Sequence, residues 1–166
     1  MIQNPEQRGR ALAEFYRTVG PRLLRDLEES GLLGESPSES ARAEWACFAM
    51  YACVRGLVAA GGFNRETGAA LDAFHDALLS DTLASAESDA SFDARRALIS
   101  KRYEEYGAIG QAGGASGAAS VTARLGERAA EYLAAPDPPA VGLAELAGGL
   151  HEALAEGAAE IVRQAE

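Results

Sequence analysis

Large apolar side chains recur along this chain at the three- and four-residue spacing of helices, and nowhere do they alternate as in a strand. Asn4-Pro5-Glu6-Gln7 reads as a helix start: Asn caps, Pro fits the first turn, and Gln7 sits at the capping-box position. Leu12, Phe15, Tyr16, Val19 and Leu23 follow on one face. Pro21 is expected to kink this helix or to start a second one that ends near Ser30, before the loop glycines Gly31 and Gly34. A third start signal follows Asn64, with Leu71, Phe74, Leu78 and Leu79 on one side, and Ser80 to Ser91 reads as a loop. A fourth helix is expected from Phe92, carrying Leu98, Ile99, Tyr103, Tyr106 and Ile109. Five glycines between Gly107 and Gly117 predict its end, and Ser116, Ser120 or Thr122 would cap the next helix, marked by Val121, Leu125, Ala129, Tyr132 and Leu133. Pro136-Asp137-Pro138-Pro139 is a stiff linker. The last helix has a leucine face at 143, 146, 150 and 154 and an acidic face at Glu145, Glu152 and Glu156.

One helix departs from this amphipathic pattern. Ser36-Pro37-Ser38-Glu39, with Ser36 as cap, leads into Ala41 to Ala60, where Trp45, Met50, Cys53, Val54, Leu57 and Val58 leave no broad polar face. A helix apolar all round is enclosed by other helices or by lipid. Arg55 in the middle of the stretch would cost about 2.5–3.5 kcal/mol in a bilayer, and no basic cluster flanks it, so a buried helix of a bundle is expected rather than a membrane span. Gly56 within it predicts a close approach by a neighbouring helix or a bend. The expected fold is all-α: a single domain, residues 1–166, of five or six helices around a buried central helix at about 37–60.

Charge and composition narrow the function more than they define it. The chain of 166 residues carries 25 acidic and 15 basic side chains, a net charge of −10, and only residues 91–112 carry more basic than acidic groups. No strongly basic surface is available to track phosphates, so a nucleic-acid partner is not expected. Fourteen of the basic residues are arginine, which reads first as a coding bias. Cys47 and Cys53, six apart on one helix, are too far apart to bond each other and read as buried free thiols. The amino-terminal segment MIQNPEQRGR has no apolar stretch of signal-peptide type, so the cytoplasm is the expected compartment.

Four constellations carry possible chemistry. Asp72 and His75 have the spacing of a carboxylate–histidine metal pair, but His151, the other histidine, has no matching partner three residues before it. Neither metal nor cofactor is expected. The glycine-rich run has no P-loop lysine and follows a helix rather than a strand. No nucleophile motif of the GxSxG or Cys–His kind is present, so catalysis is not expected. The last is a polar stripe on the central helix, Glu44, Tyr51 and Arg55, facing the RYEEY run that holds Tyr103 and Tyr106. Arg55 needs an anionic partner. A structural salt bridge to Glu104 or Glu105 is the leading reading, and a pocket gripping an anionic or amphipathic ligand with Glu44, Tyr51, Arg55, Tyr103 and Tyr106 is the other. The expected role is contact with a protein partner or a second copy as a homodimer, with small-molecule binding as the alternative.

Overall fold

A computed structural model describes residues 4–113 and 118–164, and among these all regular structure is helical. Six helices follow one another: α1 (Pro5–Glu29), α2 (Glu39–Gly61), α3 (Arg65–Ser85), α4 (Asp89–Gly113), α5 (Ala118–Ala134) and α6 (Leu143–Gln164). The α1 start is the capping box expected: Asn4 Oδ1 accepts from the Gln7 amide at 2.8 Å and Gln7 Oε1 accepts from the Asn4 amide at 3.1 Å. Pro21 neither splits nor ends α1. It is exposed, so the hydrogen bond it removes falls on the solvent side of an otherwise well-packed helix.

Three boundaries differ from those read in the sequence, each for a local reason. Ser38 rather than Ser36 caps α2, its Oγ accepting from the Ala41 amide at 3.0 Å. Helix α3 continues past Ser80, because Ser80 and Thr82 hydroxyls bond back to the carbonyls of Asp76 and Leu78 and Arg17 of α1 pairs with Asp81 at 2.7 Å. Ser88 then caps α4, accepting from the Ser91 amide, so the helix begins at Asp89 rather than Phe92. Gly107 and Gly110 do not break α4. Gly110 faces the Tyr51 hydroxyl of α2, and a Cβ there would make ordinary contact with it at 3.5 Å, so the approach of α4 to α2 does not depend on this glycine. Ser120 and Thr122 lie inside α5 and do not cap it, while Gly114, Ala115, Ser116 and Gly117 lie outside the described residues.

Helix α2 is the centre of the bundle. From Ala41 to Leu57 every residue except Arg42 is buried or half-buried. One side of α2 (Trp45, Phe48, Ala52) joins Leu27, Tyr106, Leu125 and Leu154, and the other (Met50, Cys53, Leu57) joins Leu12, Phe74 and Val162. Gly56 is the point of closest approach to α6: a Cβ there would sit 2.3 Å from the Ala155 carbonyl oxygen and 2.7 Å from Ala158 Cβ. Gly9 plays the same part between α1 and α3, and Gly126 between α5 and α6. Among the described residues α2 alone is long and apolar enough to cross a membrane, and 56% of its apolar window is buried within the bundle.

Helix α4 is seated differently. From Asp89 to Lys101 it has no buried residue, and only Arg102 and Tyr106 are fully enclosed. Its amino-terminal half therefore rests on the bundle without being embedded in it.

Candidate functional site

The polar residues of the α2–α4 region fall into three separate groups. The first is a buried ion pair. Arg102 of α4 grips Glu44 of α2 with both arms, Nε to Oε2 at 2.7 Å and Nη2 to Oε1 at 2.8 Å, and a third nitrogen reaches Glu105 at 3.2 Å. Tyr132 of α5 covers the guanidinium with its ring centroid 3.4 Å away, and its hydroxyl bonds to Glu105. Glu44 holds the Arg102 pKa above the usual arginine range through these hydrogen bonds. Glu44 is thus fully used by the fold.

The second group holds Arg55, whose partner is neither Glu104 nor Glu105. Position 55 faces α6, and Arg55 Nη1 lies 3.4 Å from Glu152 Oε2. That same oxygen accepts from the Thr122 hydroxyl at 2.7 Å. Arg55 and Glu44 therefore belong to opposite ends of the stripe and to different neighbours, and the five residues expected to line one pocket do not converge.

The third group is aromatic. Tyr51 packs against Tyr103, Tyr106 and His151 with ring centroids 5.6–6.1 Å apart, and Phe48 stacks on His151 at 4.2 Å. His151 is fully buried, and among the described residues neither its ring nitrogens nor the Tyr106 hydroxyl has a hydrogen-bond partner of regular geometry, the Phe48 backbone being the one polar group that favours the protonated ring. Burial, assisted by the Arg55 charge, pushes His151 down to about 3, so the ring is neutral at neutral pH. Cys47 and Cys53 are free and buried, and burial raises both thiols to about 12, which removes thiolate chemistry near neutral pH.

Tyr103 leads from this aromatic group to the surface. It lines a recess of about 280 Å³ between α2, α3 and α4, together with Met50, His75, Leu79, Arg96, Ile99 and Ser100. On the other side of the Met50–Ile99 pair lies a second recess of about 150 Å³, which Cys47, Leu78 and Arg95 help to line. Both recesses lie beside the amino-terminal half of α4, with the buried Met50 and the half-buried Ile99 between them. Neither Arg95 nor Arg96 has a carboxylate partner among the described residues, and Arg96 instead leans over the Phe92 ring at 5.7 Å. Of the five residues singled out in the sequence, Tyr103 alone lines this recess. Met50, His75, Leu79 and Ile99 were read in the sequence in other roles, and Arg96 only within the net positive charge of residues 91–112.

His75 is not paired with Asp72 around a metal position. Its Nδ1 lies 2.8 Å from the Leu71 carbonyl oxygen and its Nε2 lies 2.8 Å from the Tyr103 hydroxyl, so both nitrogens are engaged. Among the described residues no group of three or more His, Cys, Asp or Glu side chains is placed to hold a metal ion. No known protein family, curated protein or solved structure matches this chain.

Proposed function

We propose that this bundle binds an amphipathic organic anion beneath the amino-terminal half of α4. The observation that carries the reading is the α2–α3–α4 recess: an apolar floor of Met50, Leu79 and Ile99, with the Arg96 guanidinium at its rim unpaired by any carboxylate of the described chain. Concave, mostly apolar sites with a few placed polar groups are where small molecules bind. In a protein of net charge −10, an anion has little reason to approach unless a local cation draws it in. Methionine is also well suited to a floor that must repack around a guest.

Action through protein contacts, the role expected first from the sequence, has less to stand on. Among the described residues, the large apolar side chains left exposed are Phe63, Leu83 and Val141, single residues on the α2–α3 turn, near the end of α3 and on the α5–α6 connection. Single exposed apolar residues are ordinary on a protein surface.

The chain has two methionines, Met1 and Met50, so a methyl-labelled sample gives one reporter inside the recess. Titration with 3-phenylpropionate should shift the Met50 methyl resonance saturably, and Arg96→Ala should weaken binding about twofold to fivefold, the range expected of an exposed ion pair. A Met50 signal unmoved through millimolar probe would overturn the proposal.

A further inference from the structure

The polar wall of the recess has a fixed hydrogen-bonding sense, and His75 is what fixes it. A carbonyl oxygen only accepts, so at 2.8 Å from Leu71 O the Nδ1 of His75 must carry a proton. The opposite tautomer would set two acceptors against each other at that distance. Burial favours the uncharged ring against the weaker pull of Asp72 and Asp76 on the same helix. With its one proton on Nδ1, the ring presents a bare lone pair at Nε2. The Tyr103 hydroxyl, 2.8 Å away, therefore donates to it. A phenol has one proton. Once that proton is committed to His75, only the lone pairs of Tyr103 Oη remain for a guest in the recess.

We infer that the recess discriminates among organic anions by requiring a hydrogen-bond donor, a hydroxyl or amino group, in addition to the anionic end, with Tyr103 as the acceptor that reads it and His75 as the positioning residue that sets the polarity of Tyr103. This rests on the ligand reading above and names its ligand class: an aryl or alkyl acid bearing a donor group. The charged end meets Arg96, the apolar body lies on Met50, Leu79 and Ile99, and the donor meets Tyr103 Oη. A guest with an acceptor at that point sets lone pair against lone pair. A guest with neither leaves the lone pairs of Oη stripped of water and without a donor.

Three probes that share a carboxylate and a ring separate the cases: 3-(4-hydroxyphenyl)propionate, 3-phenylpropionate and 3-(4-methoxyphenyl)propionate, each titrated while the Met50 methyl is observed. The hydroxylated probe should bind about fivefold to tenfold more tightly than the methoxy probe, as expected for one neutral hydrogen bond made or denied in a part-buried site. Tyr103→Phe should bring the three affinities together without lowering that of 3-phenylpropionate. His75→Leu should free the Tyr103 proton and restore the methoxy probe. Equal binding of all three probes to the wild-type protein would overturn this inference and leave the ligand reading standing, whereas saturable binding by none of them would overturn both. A measurement without ligand bears on the same point: nitrogen-15 spectra should show the His75 proton on Nδ1, and a proton on Nε2 would end the argument.

Discussion

Replacing Arg102 by Met should be among the most damaging single changes available in this protein, and the structure says by how much. Arg102 and Glu44 are 8% and 9% exposed in their side chains, so neither is relieved by water when the other is lost. Met keeps the unbranched stem, so what disappears is the guanidinium: two charge-assisted hydrogen bonds to Glu44, at 2.7 and 2.8 Å, the contact with Glu105 and the cation–π contact with Tyr132. Removing one partner of a buried pair costs about 3–5 kcal/mol, mostly the penalty of the charge left behind. Against a typical domain stability of about 5–15 kcal/mol, that is at least about a fifth of the total. The reverse single change, Glu44→Leu, should cost less, because Arg102 retains Glu105 at 3.2 Å and the Tyr132 face. The double variant Glu44→Leu/Arg102→Met should recover most of the loss, since an apolar pair of similar volume is often neutral or better in such a site. Urea unfolding of the four proteins at neutral pH measures all three differences. Amide exchange should show the Arg102→Met loss concentrated in α4, which has only Arg102 and Tyr106 fully enclosed. If Arg102→Met shifts stability by less than about 1 kcal/mol, or if Glu44→Leu proves the more damaging, the claim that this pair holds α4 to α2 is wrong.

Two glycines on helix interiors should respond in opposite directions. Gly56→Ala drives a methyl group to within 2.3 Å of the Ala155 carbonyl oxygen and should cost at least as much as overpacking a core, about 1–3 kcal/mol, whereas Gly149→Ala meets nothing within 4 Å and should gain about 0.5–1 kcal/mol of helix propensity, both read from thermal unfolding. Trp45→Phe removes the buried hydrogen bond from Nε1 to the Gly20 carbonyl at 3.1 Å and should cost about 0.5–1.5 kcal/mol in urea unfolding, the usual net worth of one hydrogen bond. His151 should make the protein acid-sensitive: its ring stays neutral in the fold, down to about 3, while in the unfolded chain it takes a proton near 6.5, so stability is full above pH 6.5 and falls as pH drops from there toward 3. At pH 5 the loss is about 2 kcal/mol, and urea unfolding at pH 7 and 5 should show that part of the decline missing from His151→Leu.

The helices were legible because their signals are local. Asn4 and Asn64 cap through hydrogen bonds that span three residues, and the leucine face of α6 needs only its own period to be seen. Gly56 was legible for a related reason: a glycine costs helix stability, so one inside a core helix predicts the close contact with Ala155 and Ala158 that the structure has. The errors at Ser80–Ser91 and Gly107–Gly113 share a cause. Small and polar residues were read as loop, but packing against neighbouring helices overrides that local preference, through the Arg17–Asp81 pair at α3 and the ring contacts of Tyr106 with Phe48 and Tyr51 just before Gly107 in α4.

The ion pairs show where a one-dimensional reading stops. A buried arginine on α2 was expected to find a glutamate in the run 102–106, and a buried arginine–glutamate pair does join α2 to that run. The donor and acceptor are exchanged, however: α4 supplies the arginine and α2 the glutamate. The sequence offers both pairings, because Glu44 and Arg55 lie on the same stripe and Arg102 and Glu105 lie one turn apart. What chooses between them is the order of helices around α2. Helix α6 presses on α2 near Gly56, so Arg55 meets Glu152, while α4 lies against α2 nearer its amino-terminal end, where Glu44 is the charge in reach. The same arrangement accounts for the recess. Arg102 fastens α4 at one point, the helix continues towards its amino terminus over Met50 without a second anchor, and the space left on either side of Met50 and Ile99 is what Arg95, Arg96 and Tyr103 come to line. A site formed by where a helix is not held leaves no periodicity in the chain, so Tyr103 and His75 stood out in the sequence in other roles, and their grouping with Arg96 became visible only when Arg102 had been placed.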